Sequence, residues 1–200
     1  MSNKLTIEGS GSVKVTPDMM RFTYELVQDG PSYASSFDAL KVQYENIVKA
    51  FKKVEFNISL IKTSGIEVSI LHPTEQQPKR FRCVQRIVFE DRINLHKMSA
   101  LLDCLRTSDD FNFSLSYFLK DTTKADDDAL ILAINQATDK AKIIAEASGI
   151  RLGHICNMDY VNNMSARPMY RIASADMMGT TMTADDVIVS QSIVISWDIK

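Results

Sequence analysis

The sequence is poor in cysteine, with three residues at Cys83, Cys104 and Cys156 and no tight spacing between them. An odd and scattered set predicts reduced thiols rather than a disulfide framework, which is typical of a cytoplasmic protein. The N-terminal stretch MSNKLTIEGSGSVKV also lacks the apolar core of a secretory signal. We therefore expect a cytoplasmic location, with the periplasm or cell envelope as the alternative if a signal has been removed.

The chain has no excess of either charge and no long apolar run. Lys plus Arg number 23 and Asp plus Glu number 25, which gives a net charge of −2. Nucleic acids and anionic membranes attract a concentrated positive field, and a bilayer-spanning helix needs about 20 apolar residues. Neither a nucleic-acid partner nor an integral membrane segment is predicted. With 200 residues, of which 45% are apolar, the chain is large enough to fold around its own core.

The motifs of common enzyme classes are also missing from the sequence. It contains no Gly-x-Ser-x-Gly elbow and no phosphate-binding glycine loop that ends in Lys-Ser or Lys-Thr. The acidic run Asp126-Asp127-Asp128 occupies successive positions of a predicted helix, where side chains diverge by about 100° and cannot converge on one ion. We predict no catalytic residue, no cofactor and no enzyme activity.

The regular patterns that are present predict strands and helices in an α+β order. Alternating apolar residues indicate strands, of which the segment from Met20 to Leu26 is typical. Apolar stripes at helical spacing predict helices over residues 32–54, 94–106 and 123–148. Because the strands often follow one another directly, the sequence favours largely antiparallel sheets packed by about three helices, within a single domain over residues 1–200.

The third predicted helix carries alanine at every fourth position. Each four-residue step advances the row by about 40°, so that it sweeps about 200° over five steps. An apolar arc of this width predicts two packing partners, the second of which is either another layer of the same domain or a second subunit. The run Gly9-Ser10-Gly11 in the first strand indicates a place where another backbone approaches closely. The candidate interface residues are Ala129, Ala133, Ala137, Ala141 and Ala145.

A soft-metal site is the alternative to a purely structural protein. His154, Cys156 and Met158 alternate along one predicted strand, which would place imidazole, thiol and thioether on one face. Such donors suit Cu(I) or Zn. The competing interpretation is that these side chains fill a core face. Five further methionines lie in the following loop, at Met164, Met169, Met177, Met178 and Met182.

Arg80, Arg82 and Arg86 share one face of another predicted strand, with Lys79 beside them and Phe81 on the opposite face. Basic residues interleaved with aromatics can bind single-stranded nucleic acid. In a chain of net negative charge, one short cluster is more typical of a solvated or interface face.

Four stretches of the sequence resemble one known family. The opening LTIEGSGSVKVTPDMMRFTYEL is similar to the V-x-G-x-G-x-V-x-V-x-P-D start of SIMPL-domain proteins, a bacterial family of unknown function. The strand FSLSYFLKD, the end of the alanine helix in AEASGIRLG and the ending DDVIVSQSIVISWDI fit the same family. The resemblance covers nearly the whole chain.

The resemblance implies two interleaved subdomains, roughly residues 1–91 with the C-terminal strand and residues 92–163. It also implies assembly into rings or larger homo-oligomers, an envelope location and a link to protection from oxidative stress. No catalytic residues are known for the family, so none is carried over. We therefore expect a non-catalytic oligomeric scaffold or binding module, with a soft-metal or redox-buffering protein as the alternative.

Overall fold

The computed structural model describes residues 3–73, 78–105, 112–160 and 183–200. These residues form three α-helices and two sheets, and every pairing with an assigned register is antiparallel. The predicted α+β class is therefore confirmed. In chain order the elements are β1 (Lys4–Val15), β2 (Met19–Gly30), α1 (Tyr33–Lys53), β3 (Ile61–Thr63), β4 (Glu67–Leu71), β5 (Arg80–Arg92), α2 (Leu95–Leu105), β6 (Phe113–Phe118), α3 (Thr123–Ser148), β7 (Leu152–Asp159) and β8 (Val187–Ile199).

The chain forms two compact units, each built from separate segments. Of the described residues, those within Met1–Pro17, Phe118–Tyr170 and Asp185–Lys200 belong to unit one, and those within Asp18–Tyr117 and Arg171–Ala184 belong to unit two. The division expected from the resemblance, residues 1–91 with the C-terminal strand and residues 92–163, stays a prediction. Within the described residues, no helix combines the length and the apolar character that crossing a membrane requires.

Unit one is a three-stranded sheet in the order β1-β8-β7, covered on one face by α3. Strands β1 and β8 pair along their whole length, from Lys4 opposite Asp198 to Val15 opposite Val187. The sequence predicts an interruption of the first strand at its glycines. The structure instead continues β1 through them, because Gly9 and Gly11 keep their places in the ladder opposite Ile193 and Gln191.

Helix α3 approaches β1 at the two glycines. A Cβ atom placed on Gly9 would overlap the backbone oxygen of Ala133 and would lie 2.7 Å from the Cβ of Ala137. A Cβ atom on Gly11 would overlap the backbone oxygen of Ala129 and would lie 2.6 Å from the backbone nitrogen of Ala133. The glycines therefore let strand and helix backbones touch, as the Gly9-Ser10-Gly11 pattern predicted.

Unit two is a five-stranded sheet in the order β3-β5-β2-β6, with β4 also paired to β5. Strands β2 and β5 form its centre, in register from Met19 opposite Arg92 to Gly30 opposite Phe81. Helix α1 packs on both strands and contacts α2. Its core is aromatic: the ring of Phe51 lies 4.9 Å from that of Phe89 and 5.9 Å from that of Phe22, measured between centroids.

Local sequence explains where α1 begins. The Ser32 side chain accepts a hydrogen bond from the backbone nitrogen of Ser35, and the Ser35 hydroxyl accepts one from the backbone nitrogen of Ser32. This reciprocal cap satisfies N–H groups that the first helical turn leaves without partners. The stripe predicted for this helix is buried at Leu40, Ile47 and Phe51, so that the helix covers the sheet with one face.

Candidate functional site

The alanine row of α3 is buried inside unit one and does not form an outer surface. All six alanines, from Ala125 to Ala145, are buried, and the middle ones pack against β1 and β8. The side of α3 that another molecule can reach carries Ile131, which is 56% exposed, and Ile143, which is 65% exposed. The alanines proposed as interface residues therefore contact the chain's own sheet. Within the described part of unit one, the helix has a single packing layer.

The candidate metal donors lie on β7, an edge strand with an irregular register. His154, Cys156 and Met158 are all exposed. The predicted common face assumes strict alternation, but the pairing with β8 shifts between Leu152 and Ile155 and again between Ile155 and Asn157. Each shift inserts an extra residue into one strand and re-aims the side chains that follow. Strand geometry therefore does not hold the three donors on one face.

The described residues contain no group of three or more His, Cys, Asp and Glu side chains that could hold a metal ion. The Cys156 thiol donates to the backbone oxygen of Ser196 over 3.4 Å. The five methionines of the neighbouring loop, at positions 164, 169, 177, 178 and 182, fall outside the described residues. The soft-metal site therefore stays a prediction.

The arginine row of β5 is matched by carboxylates on β2. The guanidinium of Arg82 donates to both carboxylate oxygens of Asp29, over 2.8 Å and 2.9 Å. Arg80 donates to the backbone oxygen of Asp29 over 3.3 Å, and Arg86 lies 3.9 Å from the carboxylate of Glu25. These are cross-strand pairs of the kind that stabilise an antiparallel sheet. The carboxylates become visible in the sequence only when β2 and β5 are aligned antiparallel, which sets Asp29 opposite Arg82 and Glu25 opposite Arg86.

Four of these residues, Glu25, Asp29, Arg80 and Arg82, border a surface groove of about 730 Å³ in unit two. The hydrogen bond from Arg82 is the main reason that the pKa of Asp29 lies below its usual value, and the bond to Asp29 raises the pKa of Arg82. Both groups therefore stay ionised at neutral pH, which suits a structural ion pair better than proton transfer. The lining residues are Glu25, Val27, Gln28, Asp29, Arg80, Arg82 and Asn112.

The edge strand β4 carries an exposed apolar row that the patterns described under Sequence analysis do not include. Val68 and Ile70 are each 47% exposed, and Ile66 just before the strand is exposed as well. Val68 lies opposite the buried Cys83 and Ile70 opposite Phe81, so the row continues the helix-covered face of the sheet to its edge. The signal is the alternation of branched aliphatics at 66, 68 and 70 without the lysine or proline that commonly protects an edge.

The chain matches a known protein family. The family described as SIMPL, protein of unknown function (DUF541), matches residues 5–197. No curated protein matches the chain. Among solved structures, the chain has a weak likeness to the crystal structure of a hydrolase from Listeria innocua, with 10% identity and a TM-score of 0.24 over 95% of this chain and 92% of that one. That score is too low to carry an argument about fold or activity. Because the family match extends over nearly the whole chain, the protein belongs to the SIMPL family.

Proposed function

We propose that this SIMPL protein is a non-catalytic, self-associating scaffold or binding module. The observation that carries the proposal is that both sheets end in an edge strand with half-exposed apolar side chains. In unit two these are Val68 and Ile70 on β4. In unit one they are Ile155 and Met158 on β7, which lie opposite the buried Trp197 and Ile195.

Edge strands of this kind are suited to association. An edge strand presents backbone N–H and C=O groups that another strand can pair with. Apolar side chains along the same strand add a hydrophobic contribution of about 25 cal/mol for each Å² that association removes from water. Pairing and burial therefore favour the same event, the docking of another chain on the sheet edge.

The pairing of charges in the groove supports the non-catalytic part of the proposal. General acids and bases need a pKa near the working pH, which burial or like charges usually provide. The pKa of Asp29 is instead lowered by its hydrogen bond with Arg82, and the pKa of Arg82 is raised by the same contact. Both shifts move the groups away from neutral pH and hold each in its charged form.

The test is the mass of the protein in solution over a range of concentrations. We expect sedimentation velocity and light scattering to give a species larger than the 22.5 kDa monomer, with the larger species growing as concentration rises. A protein that stays monomeric up to about 100 μM, a concentration at which even weak association becomes visible, would contradict the proposal.

A soft-metal or redox-buffering role is the second candidate, supported by the exposure of His154, Cys156 and Met158 on one strand. We expect any Cu(I) or Zn that binds there to raise the thermal midpoint and to protect the Cys156 thiol from alkylation. Cys156→Ser would remove the effect, whereas Cys83→Ser would leave it, because Cys83 is buried in unit two. A link to oxidative stress would follow from the same thiol. Absence of both effects in the wild type would exclude this role.

A further inference from the structure

We propose that strand β4 pairs antiparallel with β4 of a second copy, so that two five-stranded sheets join edge to edge. The proposal rests on the proposed self-association and names the surface that carries it. Strand β4 has β5 as its single strand partner among the described residues, which leaves its other edge for a further strand. All of its residues from Glu67 to Ile70 are exposed.

The β4 sequence is complementary to itself in an antiparallel register centred on Ser69. Pairing around a two-fold axis at Ser69 places Val68 of each copy opposite Ile70 of the other. Both side chains extend the face that begins with Cys83 and Phe81. The contact between the two β4 strands, called the seam below, therefore continues an existing apolar surface. A shift by one residue would turn one strand's apolar side chains to the opposite face. An axis at Glu67 would set two carboxylates opposite each other.

Charge also favours this register. It places Glu67 of one copy opposite Leu71 of the other, and Leu71 lies opposite Arg80 in its own sheet. Glu67 and the Arg80 of the other copy then share one face two strands apart, or about 10 Å between backbones. The two long side chains can span this gap when the Arg80 guanidinium exchanges its hydrogen bond with the backbone oxygen of Asp29 for one with the Glu67 carboxylate. The two-fold axis creates this pair twice. A second copy is therefore matched to the edge in hydrogen bonding, apolar contact and charge.

A charge exchange tests the seam with matched partners. Glu67→Arg should weaken the homodimer about tenfold or more, because it faces Arg80 of the other copy, and Arg80→Glu should do the same by facing Glu67. A one-to-one mixture of the two variants should recover nearly wild-type association. In that heterodimer one seam contact is Glu67 with Arg80, as in the wild type, and the other has the two charges exchanged. Sedimentation velocity of each variant and of the mixture measures this. Failure of the mixture to recover would overturn the seam.

A second variant removes the apolar row. Val68→Lys with Ile70→Lys should abolish the dimer while leaving the thermal midpoint within a few degrees, because both side chains are already half exposed. The matched control is Val42→Lys on α1, at a side chain that is 57% exposed. In the wild type, hydrogen exchange of amides 67–71 should slow as concentration rises. A wild type that stays monomeric overturns both this seam and the proposed function. If the wild type is an oligomer and the double substitution leaves its mass in solution unchanged, the seam alone is overturned.

Discussion

The two units place helices on a sheet by opposite means. In unit one, α3 meets β1 and β8 through alanine and glycine, and the contact at Gly9 and Gly11 is with the helix backbone itself. In unit two, α1 meets β2 and β5 through large side chains, among which Phe22, Phe51 and Phe89 are fully buried. The contact in unit one depends on the absence of bulky side chains, and the contact in unit two depends on large side chains that fill the space between helix and sheet.

This difference predicts opposite sensitivities to substitution. A contact built from Cα and Cβ atoms loses little when a side chain is shortened, since almost nothing remains to be removed, but it cannot accept added volume. A contact built from aromatic rings tolerates small changes in volume and loses most when a ring is deleted, because a cavity remains. Truncation should therefore damage unit two, and enlargement should damage unit one.

The largest expected effect is truncation in unit two. Phe51→Ala should lower the free energy of unfolding by about 3–5 kcal/mol, since it removes a fully buried ring that contacts Phe22 and Phe89. Urea unfolding followed by circular dichroism measures the change. Tyr33→Ala is the control, because that ring is half exposed, and it should change the same quantity by about 1 kcal/mol or less. Equal losses in the two variants would show that ring burial does not define this contact.

Enlargement in unit one comes next. Gly9→Ala and Gly11→Ala should each lower the free energy of unfolding by about 1–3 kcal/mol, because the new methyl group meets the backbone of α3. Adding Ala137→Gly to Gly9→Ala should restore little, since the nearest obstruction is the backbone oxygen of Ala133. Full recovery in the double variant would mean that side chains, rather than backbones, set the distance between strand and helix.

Much of this contrast could be anticipated from sequence, but only where the signal is local. The glycines at 9 and 11 and the alanines at every fourth position predicted a close contact between two backbones, because regularly spaced small residues allow such an approach. The solvent-exposed side of α3 and the bulges of β7 could not be predicted from the sequence. Both depend on which strands pack against α3 and pair with β7. The match between Asp29 and Arg82 likewise depends on a register that joins positions 53 residues apart.

Two other glycines distinguish the effect of backbone conformation from the effect of steric overlap. Gly149 ends α3 with a φ of 66°, and a Cβ there meets no atom within 4 Å. Gly149→Ala should therefore lower the free energy of unfolding by about 1 kcal/mol through backbone strain alone. Gly65 also has open space, and its φ is not in the left-handed region. Gly65→Ala should raise the same quantity by about 0.4–1 kcal/mol, because alanine restricts the unfolded chain. Thermal midpoints rank the glycine variants. If Gly65→Ala lowers the thermal midpoint as much as Gly9→Ala does, the effect of Gly9→Ala cannot be attributed to the contact with α3.

The smallest effect contrasts the polar faces of the two sheets. In unit two that face holds the ion pair of Asp29 with Arg82, whereas in unit one a hydrogen bond of 2.9 Å joins the hydroxyls of Thr6 and Ser196. The folded pKa of Asp29 is lowered, chiefly by its hydrogen bond with Arg82. Its contribution is therefore present above the unfolded pKa of about 3.9 and is lost as pH falls through the folded pKa.

Because both partners are partly solvated, that contribution should stay below about 1 kcal/mol. Asp29→Asn should lower the free energy of unfolding at about pH 6, and its difference from the wild type should shrink toward about pH 2. Thr6→Val removes a hydrogen bond that has no titrating group, so its effect should be the same at both pH values. Urea unfolding of the three proteins at the two pH values gives the comparison. An Asp29→Asn difference that does not change with pH would show that the carboxylate acts by shape and hydrogen bonding, as the hydroxyls of unit one do, and not by its charge.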